Sequence, residues 1–122
     1  MRRLLGPVLA LLLSLPVLAA DITLAVDKAE LRPDPFSGQP TVMITLTPDG
    51  RKDFAKLTLK HLGQVIELRV AGELLTAPVV QSPILDGVII VSGAMTQDDA
   101  RRLAERIGGE AGEIVLTPVE HE

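Results

Sequence analysis

Cysteine, tryptophan and tyrosine are absent from the chain, and Phe36 and Phe54 are its only aromatic residues. Without cysteine there is no disulfide framework and no thiolate for a metal, so a hydrophobic core has to hold the fold. With so few aromatics, that core has to be built from Val, Ile and Leu. Histidine is nearly as scarce: His61 and His121 are the whole supply of the side chain that most often serves as general base. His61 falls on the apolar side of a helix end, where a partly buried, hydrogen-bonded structural role is expected, and His121 falls in the tail. Asp49 and Asp53 are four residues apart, the spacing of an acid/base pair, yet their place in a first helical turn already has an electrostatic reason. Ser82 and Ser92 lack the G-x-S-x-G elbow, and no G-x-G-x-x-G or P-loop spacing occurs. The expectation is no catalytic residue, no metal site and no cofactor. A hydrolase using His61 and a nearby carboxylate is the minor alternative, and it requires His61 exposed in a pocket beside Asp or Ser.

What the sequence does have begins with a long apolar run. Met1-Arg2-Arg3 precedes Leu4 to Leu15, almost free of polar atoms, and Pro16 and Ala19-Ala20 follow. That is the form of a secretory signal peptide cut near Asp21; the alternative is an uncleaved anchor, at the short edge of what spans a bilayer. The chain divides on this reading into a signal peptide, 1–20, an N-terminal strand and loop or arm, 21–40, and the main domain, 41–122. Losing Arg2 and Arg3 leaves 10 basic against 16 acidic residues. An acidic surface is repelled by phosphate, so nucleic acid is excluded as a partner. About 100 residues remain, enough for one domain and too few for two.

Ile22, Leu24 and Val26 alternate with Thr23 and Ala25 as a short strand, and "KAELRPDPFSGQP", from Lys28 to Pro40, reads as a loop or arm. In "TVMITLT", Val42, Ile44 and Leu46 face one way and Thr41, Met43, Thr45 and Thr47 the other. Thr47-Pro48-Asp49 opens a helix by capping free amides, losing no needed donor and placing a negative charge at the positive end. Phe54, Leu57, Thr58, His61 and Leu62 follow at helical spacing, Gly63 stops the run, and Lys52, Lys56 and Lys60 mark the solvated face. "QVIELRVAG" and "ELLTAPVV" form a hairpin turning at Ala71-Gly72, with Pro78 placed at an edge because it has no amide hydrogen for a ladder. Ile84 to Val91, broken at Asp86-Gly87, supplies another strand. Thr96 with Asp99 opens a second helix; Ala100, Leu103, Ala104 and Ile107 are its stripe, Gly108-Gly109 its stop, and "EIVLTPV" the last strand. This order predicts an α+β fold: a ferredoxin-like split βαβ sandwich, an antiparallel sheet with two helices on one face plus extra strands.

One series of residues goes beyond periodicity. Gly50, Phe54 and Thr58 in the first helix, Gly63 after it, then Ala77-Pro78, Ile84, Gly87, Ser92-Gly93, Ala100 and Leu103 occur in an order and spacing that resembles the head subdomain of the first large periplasmic region of SecD. SecD is the proton-driven partner of the Sec protein translocase. The resemblance covers Ser37 to Gly109, with Ser37-Gly38-Gln39-Pro40 similar to the approach to the family's first head strand. It departs at Ala71, where an aspartate is expected before the turn glycine, after Gly108-Gly109, where a leucine-proline exit is missing, and in having no membrane helices after the head. Proton coupling is therefore not carried over. What the resemblance implies is a free-standing, exported head: periplasmic, soluble after signal cleavage, and contacting unfolded or translocating polypeptide through Met43, Arg69 and Val80 on the predicted sheet. The landmark residues are expected to be mainly structural, with Gly93 requiring a positive φ. The alternative is a structural or dimerising subunit of an envelope complex, with a homodimer possible.

Overall fold

Strand β1 runs through Ile22–Pro33, well past the short strand expected. In the computed structural model, which describes residues 21–119, Leu24 is buried with Ile22 and Val26 packed beside it, after which the parity changes. Ala29 and Leu31 pack against the core. The intervening Lys28, Glu30 and Arg32 lie on the other face and form ion pairs centred on Glu30. The cause is a β-bulge at Asp27: Val26 pairs with Leu46, while Lys28 pairs with the adjacent Thr45. One extra residue turns every later side chain to the opposite face of the sheet. Residues 28–33, expected as loop or arm, are therefore ladder. The signal-peptide segment, 1–20, and His121 lie outside the described residues.

The chain continues as β2 (Pro40–Leu46), α1 (Pro48–Lys60), β3 (Val65–Val70), β4 (Glu73–Thr76), β5 (Val88–Val91) and α2 (Gln97–Glu105). A π-helical segment, Arg106–Ala111, prolongs α2, and β6 (Glu113–Val119) completes the order. Both helix starts are built as the sequence reading expects. Thr47 Oγ1 accepts from the Gly50 amide at 3.1 Å, and Thr96 and Asp99 exchange side chain and backbone bonds in a capping box. The second helix, however, does not stop at Gly108-Gly109. It winds through them and ends at Gly112, whose φ of +63° and bond to the Ile107 carbonyl close it. Gly108 instead allows close approach: a Cβ there would lie 3.4 Å from the Ala29 amide nitrogen of β1.

All strand pairings are antiparallel, in the order β4-β3-β6-β1-β2-β5. Residues 22–25 of β1 pair with β6, and residues 26–33 pair with β2, so the bulged strand splices the two halves of the sheet. At its start Thr117 of β6 donates to the Asp21 carboxylate at 2.7 Å. Both helices pack on one face, where Leu24, Ile44, Leu57, Ala100, Ile107, Ile114 and Leu116 join one apolar core. The α+β class, the antiparallel sheet and its two helices agree with expectation. The place of β1 between β6 and β2 does not follow from the sequence pattern.

Candidate functional site

The free rims of the sheet are set by backbone pairing. On one side β5 is the last strand. On the other, β3 is covered first by β4 and then, after Thr76, by the stretch 78–80. There the Ile66 amide donates to the Pro78 carbonyl at 3.0 Å, the Val80 amide to Gln64 at 2.9 Å, and the Gly63 amide to Val80 at 2.7 Å. Pro78 stands opposite Ile66 and gives that pair its carbonyl alone, having no N–H to return. Although the two rims stand at opposite ends of the strand order, residues 78–82 and 88–90 line a single cavity of about 350 Å³. The sheet therefore curls until its edges face each other across a slot. Phe54, Ile66, Leu68 and Leu116 form the slot's apolar floor, and among the described residues no charged side chain lines it.

Helix α1 fastens the chain that joins the rims. The Thr58 hydroxyl is fully buried; it donates to the Phe54 carbonyl at 3.0 Å and accepts from the Ile84 amide at 3.0 Å. Arg51 Nε donates to the Leu85 carbonyl at 2.9 Å. Gly87 follows with φ +70°, and a Cβ there would come within 2.9 Å of the Arg51 side chain. Its carbonyl accepts from the Leu46 amide at 2.9 Å and so starts β5. A side chain at this position would meet both steric and conformational opposition.

These tethers belong to residues spaced in a way that a known family shares. The family model described as "SecDF, P1 head subdomain" matches residues 14–111. The chain belongs to this family. Protein translocase subunit SecD of Dictyoglomus turgidum is 36% identical over 67 residues, covering 55% of this chain and 17% of the relative. SecD of Thermobaculum terrenum is 32% identical over 83 residues, covering 66% and 16%. A crystal structure of SecDF in a super-membrane-facing form superposes with a TM-score of 0.65 at 26% identity, over 79% of this chain and 13% of that one. A structure described as that of "a membrane component SecDF that enhances protein export" gives 0.64 at 26% identity, over 80% and 44%. The chain spans about a sixth of the length of the curated relatives it matches.

In this P1 head fold the landmark residues separate into two groups. Phe54, Thr58, Pro78 and Gly87 surround the slot or hold its wall, Ala77 precedes that wall, and Gly63 (φ +82°) bonds to it from the end of α1. Gly50 instead lies buried at the start of α1, with a Cβ position 3.0 Å from the Ala25 carbonyl. Gly93 (φ +151°) lies in the turn after β5, Ala100 is fully buried on α2, and Leu103 packs partly buried against the core.

The three expected contact residues are not brought together. Val80 is 6% exposed: its backbone pairs with β3, and its side chain belongs to the core and lines the slot. Arg69 lies on the outer face of β3, paired with Glu67 at 2.7 Å. Met43 lies on the outer face of β2 in a separate groove of about 510 Å³ with Ile90, beside the 34–39 turn. In that turn the Ser37 hydroxyl and the Phe36 amide hold the Asp34 carboxyl below its ordinary range. Phe36 projects from it 97% exposed.

His61 is buried at the end of α1, and its Nδ1 lies 2.9 Å from Gln64 Oε1, which does not meet the condition set for a hydrolase. Among the described residues no His, Cys, Asp and Glu cluster could hold a metal ion. No helix among them is long and apolar enough to cross a membrane. The slot itself was not legible in the sequence. Its only local signal is the run of edge and turn residues from Ala77 to Gly87, which does not reveal that the sheet curls.

Proposed function

We propose that the chain is an exported, non-enzymatic module that binds polypeptide in the periplasm, in protein translocation or the handling of unfolded chains. The observation that carries this reading is the uncharged slot, apolar at its floor and bounded by two sheet edges. Such a surface favours extended polypeptide, because backbone bonds give affinity without sequence preference and apolar contacts add to it. The relatives named above are protein translocase subunits, and one solved neighbour is described as enhancing protein export, which supports the translocation context. The buried, Gln64-bonded His61 supports the non-enzymatic part. Proton-driven work is not part of the proposal, because the match to the relatives is confined to the head.

Photo-crosslinking in the producing cell tests it, with probes at Val79 and Ile89 on the slot walls and at Met43 and Arg69 on the outer face. The expected result is a broad set of secreted products captured at Val79 and Ile89. One discrete adduct at those positions would replace the reading with a dedicated partner or a homodimer.

A further inference from the structure

Resting on the polypeptide-binding reading, we infer that the slot takes its guest as an added strand bonded on both sides, so that binding closes the curled sheet into a barrel. The ladder parity fixes which backbone groups are on offer. The Leu46 amide bonds to the Gly87 carbonyl, so the partners two and four residues on, Ile44 with Ile89 and Val42 with Val91, are the hydrogen-bonded pairs. Val88 and Ile90 stand in the intervening pairs and turn their N–H and C=O groups away from β2, towards the free edge. The Val88 amide is met by the Asp86 carboxylate at 3.1 Å; the Val88 carbonyl and both groups of Ile90 have no backbone partner among the described residues.

The facing rim has the same parity. Pro78 and Val80 spend their backbone groups on Ile66, Gln64 and Gly63. Val79 therefore points its groups the other way, and it lines the cavity that β5 also lines. Two rows of peptide dipoles thus border one apolar space. An extended backbone carries the complementary alternation, since its residues direct their N–H and C=O groups to left and right in turn. Alternate side chains would then fall on the apolar floor of Phe54, Ile66 and Leu116. The Asp86 carboxylate, at the Val88 end of the rim, adds charge complementarity to a basic residue at that end of the guest. The occupant is an extended segment of about the length of β5, apolar at alternate positions and basic at one end. An acyl chain would fill the floor and leave both rims unbonded.

Peptides methylated on the backbone separate these cases, because N-methylation deletes a donor and keeps the side chain. The probe is a fluorescent Lys-Val-Thr-Val-Thr-Val-Thr peptide titrated against the full chain, beside two versions N-methylated on the valines or on the threonines. Insertion between two rims requires both alternate sets, so each methylated version is expected to bind at least tenfold more weakly. Loss with one set alone would overturn barrel closure in favour of pairing to a single edge. Equal binding by all three would overturn strand pairing altogether and leave side-chain capture. No binding by the unmethylated peptide would instead remove the polypeptide reading on which the inference rests. The variant Ile90→Pro provides a second check, since it deletes a rim donor that β2 does not use. With an unchanged circular dichroism spectrum, it should weaken the unmethylated peptide at least fivefold, and unaltered affinity would count against insertion.

Discussion

Ala71 opens the β3–β4 turn with φ +51°, and Gly72 follows at +83°. A two-residue turn with both central φ angles positive matches the twist of a hairpin, but an alanine pays for it through its Cβ. Asparagine tolerates that region far better. Ala71→Asn is expected to stabilise the fold by about 0.5–1 kcal/mol, read as a higher urea midpoint at constant slope. Gly93 presents the opposite case. Its φ of +151° suits glycine, and among the described residues no atom beyond its two chain neighbours lies within 4 Å of where a Cβ would stand. Gly93→Val should therefore destabilise by roughly 1–3 kcal/mol through backbone strain alone, without any clash. An unchanged melting temperature would refute that assignment.

At the scale of elements, the capping box of α2 ties stability to pH. The Thr96 amide, with the Thr96 and Arg102 side chains in support, holds the Asp99 carboxyl below its usual range. A depressed carboxylate contributes stability that is fully present above its unfolded pKa of about 3.9 and is lost as pH falls through the lower folded value. Melting temperatures of the parent and of Asp99→Asn should thus differ at pH 6 and converge towards pH 2. A gap that stayed constant down to pH 2 would exclude the charge as its source. This box was readable in advance because donor and acceptor lie three residues apart, and the same holds for Thr47 with Gly50. The continuation of β1 was not readable, because the bulge at Asp27 reverses the apolar parity and makes residues 28–33 look like polar loop. The role of Gly108-Gly109 was misread for a related reason: a glycine pair signals a helix stop locally, while the nearness of Ala29 is known only to the fold. The slot is harder still, since it depends on how far six strands curl together.

For the whole molecule, β1 decides where the folding unit begins. It contributes Leu24, Ala29 and Leu31 to the core and, among the described strands, is the one that joins β6 to β2. A chain beginning at Thr41 would leave those two strands unpaired along their facing edges and the core open. It is expected to show no cooperative thermal transition, whereas a chain beginning at Asp21 should melt in one step by circular dichroism and calorimetry alike. A cooperative melt of the shorter chain would return the boundary to residue 41.

The bond between Thr117 and Asp21 carries a consequence of another kind. The polypeptide enters and leaves the fold at neighbouring points, so the unit between them is a closed excursion from whatever chain carries it. A host needs only a narrow gap in one surface loop to accept such a unit, and its own architecture need not spread to make room. The same adjacency lets the unit be lifted out of one setting and grafted into another as a ready-made cassette.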